Sequence, residues 1–161
     1  MHYRLLSEQE KKSYREKFRR FWESVDQDFI PPLSKRDRNI TARVKEYERA
    51  NIIVAEDGAD LIGVVTFWEY RSKLKSPYID LIAVQRSFRG RGIGKKLVKK
   101  AIKFLEGKGI KKIKISTNSA NKKAQKLHSS LGFKAYRIKK NAKGKGIHKI
   151  YMVRLQAGSN A

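Results

Sequence analysis

Cysteine is absent from the 161 residues. Its absence excludes a disulfide framework, a thiolate metal site and a cysteine nucleophile. Long apolar runs are also missing: nothing approaches the roughly 20 consecutive residues of a spanning helix, and the N-terminus lacks the apolar core of a signal peptide. A protein with no membrane association, placed in the cytoplasm, is therefore expected. The third shortage is of acid, and it is confined to one half of the chain. Residues 1–80 carry 16 Lys+Arg and 14 Asp+Glu, whereas residues 81–161 carry 23 Lys+Arg and a single acid, Glu106. A net charge of +24 repels small cations such as polyamines and draws in anions. The excess in the second half points to a polyanionic neighbour, namely RNA, DNA or a ribosome; simple solubilisation by lysine explains it equally well. The length suits one domain, expected over 1–155, with 156–161 as a disordered tail.

The most informative segment is Arg89-Gly90-Arg91-Gly92-Ile93-Gly94-Lys95. It lies between an apolar strand-like run, 78–84, and a periodic helix starting near Ile93. Glycines let a backbone come close to a ligand with its N–H groups outward, and the following helix aims its positive end at the same place. Together with Arg89, Arg91 and Lys95 these features describe a pyrophosphate cradle. A P-loop is ruled out by spacing, since Gly90 to Gly94 is one residue short and Lys95 is followed by Lys96. A dinucleotide fingerprint is ruled out because Lys95 stands where its third glycine belongs. What remains is R-x-x-G-x-G.

Around this segment the pattern alternates between helix and strand periods. Ser7-x-x-Glu10 is a capping box opening a helix over about 8–25, which carries Tyr14, Phe18, Phe21, Trp22 and Val25 at helical spacing. Pro31-Pro32 interrupts a long loop, Asp26 to Ile40, before a short helix through Ala50. Strands are expected over 52–56 and 60–70, joined by a turn at Gly58, and again over 78–84. A helix over 92–106, a strand over 110–116, a helix over 121–130 closed by Gly132, and strands over 133–139 and 147–155 complete the chain. A basic, glycine-rich loop, 139–146, joins the last two strands. The order implies an α/β fold: a mixed sheet of six to seven strands flanked by about four helices.

A second segment, Asn121-x-x-Ala124-x-x-Leu127-His128-x-x-Leu131-Gly132-Phe133, is similar to the N-x-x-A-x-x-L-Y-x-x-x-G-F pattern of the GNAT N-acetyltransferase superfamily. The R-x-x-G-x-G turn resembles that family's pyrophosphate motif, and the order of elements resembles its fold. The resemblance implies acetyl-CoA as acyl donor, no metal, and direct transfer of acetyl to a primary amine. The donor would enter between the strands at 78–84 and 110–116. Backbone groups of Ile82, Ala83 and Val84 would pair with the pantetheine arm, and an N–H near Leu81–Ile82 would polarise the thioester. Amides of Arg89, Gly90, Arg91, Gly92, Ile93, Gly94 and Lys95 would hold the pyrophosphate, and Asn121 would reach the pantetheine.

The chain departs from the family pattern at the proton donor, where His128 replaces tyrosine. His128 would donate to the leaving thiolate or would merely fill an apolar helix face. Asp80, an acid in an apolar strand, and Glu69, at the end of the preceding strand, are the candidate bases. Tyr78 shares a face with Asp80 and would line the acceptor pocket, and Tyr136 and Tyr151 are alternative donors. Asp26, Asp28 and Phe29 would receive a cationic amine, whereas the 139–146 loop favours an acidic acceptor. The function expected is acetylation of a protein N-terminus or lysine, with a catalytically silent nucleic-acid-binding module of the same fold as the alternative.

Overall fold

A computed structural model describes residues 1–35 and 40–158. Seven strands and five α-helices occur among them. In chain order they are β1 His2–Leu5, α1 Glu8–Ser13, α2 Arg15–Val25, α3 Ile40–Tyr47, β2 Asn51–Asp57, β3 Asp60–Arg71, β4 Ser76–Val84, α4 Ile93–Gly107, β5 Lys112–Asn118, α5 Lys122–Ser130, β6 Lys134–Lys139 and β7 Lys149–Leu155. The sheet runs in the order β1-β2-β3-β4-β5-β7-β6, so the expected mixed α/β architecture holds. The chain divides into two compact units, one of Met1–Phe67 with Leu81–Lys100, the other of Trp68–Asp80 with Ala101–Ala161. Part of the expected loop and the end of the expected tail lie outside the described residues.

In the first unit β1, β2 and β3 form an antiparallel meander. One face of it is covered by the N-terminal helices. Phe18, Phe21, Trp22 and Val25 of α2 and Val44 and Tyr47 of α3 are buried in one cluster with Ile52, Val54, Leu61, Val64 and Leu81. These apolar residues recur at three- and four-residue spacing on the helices and alternate at Ile52 and Val54 on β2, while on β3 a register shift separates Leu61 from Val64, three positions on. The other face carries the start of α4. Gly63 lets it sit close, because a Cβ there would lie 3.0 Å from Leu97 Cδ1 and 3.2 Å from Ile93 Cγ2.

Two details differ from the sequence expectation. The first helix is two helices: Tyr14 ends α1, and the Ser13 hydroxyl donates 2.9 Å to the Glu10 carbonyl, competing with the backbone there. The Tyr14 hydroxyl is drawn to Glu56, 2.5 Å away, which also accepts from Arg4 on β1. Strand β1 is the second difference. Four residues are too few to show an alternation, and the strand is defined by its pairing with β2 and by those ion pairs. The Ser7–Glu10 capping box is present in full.

In the second unit β4 pairs parallel with β5, and β7 lies antiparallel between β5 and β6. Ile79, Ile113, Ile115, Leu105, Phe133 and Met152 are buried in it. The parallel ladder comprises Tyr78↔Lys114 and Ile79↔Ile115 and ends there. Helix α5 begins on Asn121, whose Oδ1 accepts from the Ala124 N–H at 3.0 Å.

Candidate functional site

The Gly-rich turn has the conformation its glycines require. Gly90 has φ +79° and Gly92 φ +75°, and around both the space that a Cβ would take is open. Helix α4 begins immediately afterwards, and its first i→i−4 bond runs from the Lys96 N–H to the Gly92 carbonyl at 3.0 Å. The N–H groups of Ile93, Gly94 and Lys95 precede that bond and have no helical acceptor. Three first-turn amides, a helix's positive end and a left-handed approach form a recess suited to a phosphate group.

The motif's arginines are used differently from the expectation. Arg89 Nε donates 2.8 Å to the Val84 carbonyl, and its Nη2 donates to Asp28. Arg86 donates to the other oxygen of Asp28 at 2.8 and 3.1 Å. Burial pushes the Asp28 carboxyl up, but hydrogen bonds from Arg89 and Arg86 outweigh it and leave the pKa below the usual carboxylate value. Arg91 turns back over the Phe88 ring, 5.1 Å from its centroid. The recess is thus built from amides, and Asp28 braces the strand-to-turn corner. Asp26 is likewise engaged, accepting from the Ser34 N–H at 2.8 Å and the Ser34 hydroxyl at 2.6 Å. Both acids proposed to meet an amine therefore have internal partners. Neither role was legible, because each depends on a loop closing onto residues 8 to 61 positions away.

On β4 the N–H of Leu81 donates to the buried Thr66 hydroxyl at 3.2 Å. That engages one of the two amides considered for polarising the thioester and leaves Ile82 as the other. Residues Ile82, Ala83 and Val84 lie beyond the last β4–β5 pair.

In the second unit His128 is 3% exposed and lies edge-on to Phe133, ring centroids 6.1 Å apart. Its Nδ1 is buried with no hydrogen-bond partner among the described residues. Burial lowers its pKa to about 4, so the ring is neutral at pH 7. Asp80 forms an ion pair with Arg71, and the Arg71 guanidinium lies over the rings of Trp68 and Tyr78 at 5.5 and 5.9 Å. Tyr78 is 3% exposed; its hydroxyl donates to Ser116 Oγ at 2.5 Å, and burial pushes its pKa up to about 12. Glu69 is exposed near the end of β3. Structure thus brings Asp80, Arg71, Tyr78 and Ser116 together, while Glu69 is exposed to solvent. Arg71 and Ser116 were not found from sequence, since a strand arginine or serine carries no motif. Among the described residues no group of three or more His, Cys, Asp or Glu could hold a metal. None of the helices among the described residues is long and apolar enough to cross a membrane.

Comparison with known proteins matches residues 11–133 to the model of the Acetyltransferase (GNAT) family. An L-2,4-diaminobutyric acid acetyltransferase of Shouchella clausii is 33% identical over 86 residues, which is 53% of this chain and 48% of that protein. A ribosomal protein bS18-alanine N-acetyltransferase of Haemophilus ducreyi is 37% identical over 60 residues, 37% of this chain and 41% of that one. The matches thus span less than half the length of these two relatives. A Salmonella typhimurium protein, solved with its cofactor acetyl-CoA, superimposes with a TM-score of 0.75 at 18% identity, covering 99% of this chain and 96% of its own.

Proposed function

The chain belongs to the Acetyltransferase (GNAT) family, and on that premise we propose that it transfers acetyl from acetyl-CoA directly to the primary amine of a protein, at an N-terminus or a lysine. The observation that carries this is the turn at Gly90 and Gly92 running into α4. It offers three unpaired amides and a helix end to the donor's pyrophosphate, a fit that needs no arginine side chain. Arg89 acts in this reading through its hold on Val84 and Asp28. The backbone of Ile82–Val84 takes the pantetheine arm as an added strand. Asn121 spends its Oδ1 on the α5 cap, so its amide NH₂ is the group left for the pantetheine.

The amine adds to the thioester carbonyl and forms the C–N bond, the adduct's N–H proton passes through water to Asp80, and collapse of the adduct breaks the C–S bond so that CoA leaves as thiolate. The Ile82 N–H stabilises the developing oxyanion. His128, neutral through burial, contributes a hydrogen bond to the thiolate rather than a full proton. Asp80, oriented by Arg71, positions the incoming amine through water, and Glu69 is the exposed alternative. A protein acceptor is favoured over a small amine because the +24 charge repels free cations. The Haemophilus relative's action on a ribosomal protein alanine supports the same choice. The basic second half would keep the enzyme near RNA, DNA or ribosomes, in the cytoplasm.

Calorimetric titration with acetyl-CoA followed by thiol release with peptide acceptors tests this. Micromolar donor binding, with thiol released by free but not by blocked peptide amines, is expected. Donor binding without thiol release for any acceptor would favour the silent binding module, and no donor binding would overturn the reading.

A further inference from the structure

The face of the second unit's sheet that bears Tyr78 changes character from one end to the other. Tyr78 on β4 is buried, whereas at the β6 end Tyr136 is 49% exposed. Register places Ser116, Tyr151 and Arg137 side by side across β5, β7 and β6. A shift in register between Ala135 and Arg137 inserts Tyr136 as an extra residue. Such bulges re-aim side chains, and here the Tyr136 and Tyr151 rings come to 6.3 Å of one another. Cations gather on both rings: Lys114 Nζ lies 5.8 Å from the Tyr136 centroid, and Lys149 Nζ and the Arg137 guanidinium lie 4.8 and 5.5 Å from that of Tyr151.

The β6–β7 loop extends this surface with Lys140 and Lys145, and it is a built loop. The Asn141 N–H donates to His148 Nδ1 at 3.1 Å, and Asn141 Oδ1 accepts from the Gly146 N–H at 2.9 Å. His148 is tied in turn to Ser119 through its own N–H and carbonyl, both at 2.8 Å. No acid follows Glu106 in the chain, so none in this segment offsets the positive charge.

We propose that this open end of the sheet is a docking platform for single-stranded nucleic acid, with Tyr136 and Tyr151 stacking unpaired bases and Lys114, Arg137, Lys149 and the loop lysines holding phosphates. A positive surface alone would suit any polyanion, including an acidic peptide. The two adjacent tyrosines decide between them, because every base has a face to stack and an acidic side chain has none. Stacking a base on tyrosine gains more than an exposed cation–π contact. A base therefore displaces the cation from the ring, and the freed cation turns to the neighbouring phosphate. A duplex keeps its base faces internal and gains only the charge term. This deepens the nucleic-acid part of the proposed function by giving it a surface and a strand preference.

Anisotropy of the full chain with labelled ten-nucleotide oligo(U), oligo(dT) and a matching duplex provides the test. The expected result is tighter binding of one or both single strands than of the duplex. Tyr136→Ala/Tyr151→Ala, which leaves the charge unchanged, should weaken single-strand binding at least about tenfold and duplex binding much less. Tyr136→Phe/Tyr151→Phe keeps the rings and should bind like wild type, which guards against a folding defect in the alanine pair. Lys99→Ala/Lys100→Ala, on the exposed side of α4, removes two charges and should cost less than the tyrosine pair. Equal binding of duplex and single strand, tyrosine-independent binding, or binding of a poly-glutamate peptide but neither oligonucleotide would overturn the proposal. Thiol release by the wild-type protein tests acetyl transfer separately, so the two readings can fail independently.

Discussion

Gly92 offers the sharpest test of the amide recess. Its φ of +75° is a left-handed conformation, and no atom lies within 4 Å of where a Cβ would stand. Gly92→Ala therefore introduces backbone strain without a steric clash. Holding alanine there costs about 1–2 kcal/mol. If the turn keeps its shape, the loss appears as stability, a fall in Tm of roughly 2–8 °C for a chain of this size. If the turn relaxes to negative φ, the Ile93 and Gly94 amides re-aim, and the same energy appears as about 5–30-fold weaker acetyl-CoA binding. Asparagine tolerates the left-handed region better than alanine, so Gly92→Asn should recover most of either loss. Thermal melts and calorimetric titration with acetyl-CoA on the three proteins separate the outcomes. An alanine variant unchanged in both Tm and affinity would refute the claim that the turn's conformation is required. An asparagine variant as damaged as alanine would show that something other than φ sets the cost.

Three further outcomes follow from the same geometry. Gly63→Ala should lower stability by about 1–3 kcal/mol through overpacking against Leu97 and Ile93 and also weaken donor binding, because those residues seat the first turns of α4; melts and titration read the two together. Asn121→Ala should cost about 0.5–2 kcal/mol by removing the α5 cap, with Asn121→Asp restoring the stability in chemical denaturation but not donor affinity. His128 should make stability fall with acid: its folded pKa of about 4 lies below the ordinary 6.5, so the unfolded state binds the extra proton. Its contribution is complete above about pH 6.5 and is lost as pH falls toward 4, about 3 kcal/mol in all. Denaturation curves of wild type and His128→Asn should converge over that window.

Strands β2 to β7 and the left-handed turn at Gly90 and Gly92 were legible because each has a local signal, alternation or glycine spacing; β1 and the Asn121 cap on α5 were not read from the sequence. The break at Tyr14 was not, since its cause is the pull of Glu56 and Arg4 on the tyrosine hydroxyl from distant strands. The same limit hid the Asp28 clamp on Arg86 and Arg89 and the Arg71 partner of Asp80. Ion pairs between strands and loops leave no periodicity behind, and the sequence suggested a free role for acids that the fold had already engaged. His128 was placed correctly on an apolar helix face, but its depth follows from Phe133 packing against it.

The two protonatable groups best placed by motif and strand are both poor acids at neutral pH for one reason. Burial holds the His128 ring neutral by lowering its pKa to about 4, and it keeps the Tyr78 hydroxyl protonated by raising its pKa to about 12. Neither matches the roughly 8.5 of an ordinary thiol, the leaving group of the reaction. A thiolate of that basicity is a competent leaving group near pH 7 without full protonation, so the chemistry does not require a strong acid here. Hydrogen bonding from a neutral ring contributes on the scale of one hydrogen bond, whereas holding donor and amine in line can supply about 7–11 kcal/mol. In the proposed mechanism the larger share of rate acceleration therefore falls to positioning by the backbone of β4 and the first turn of α4. On the proposed reading such positioning survives most side-chain substitutions and is lost when glycine is lost, so substitution in the turn at Gly90 and Gly92 should cost more activity than substitution of His128 or Asp80.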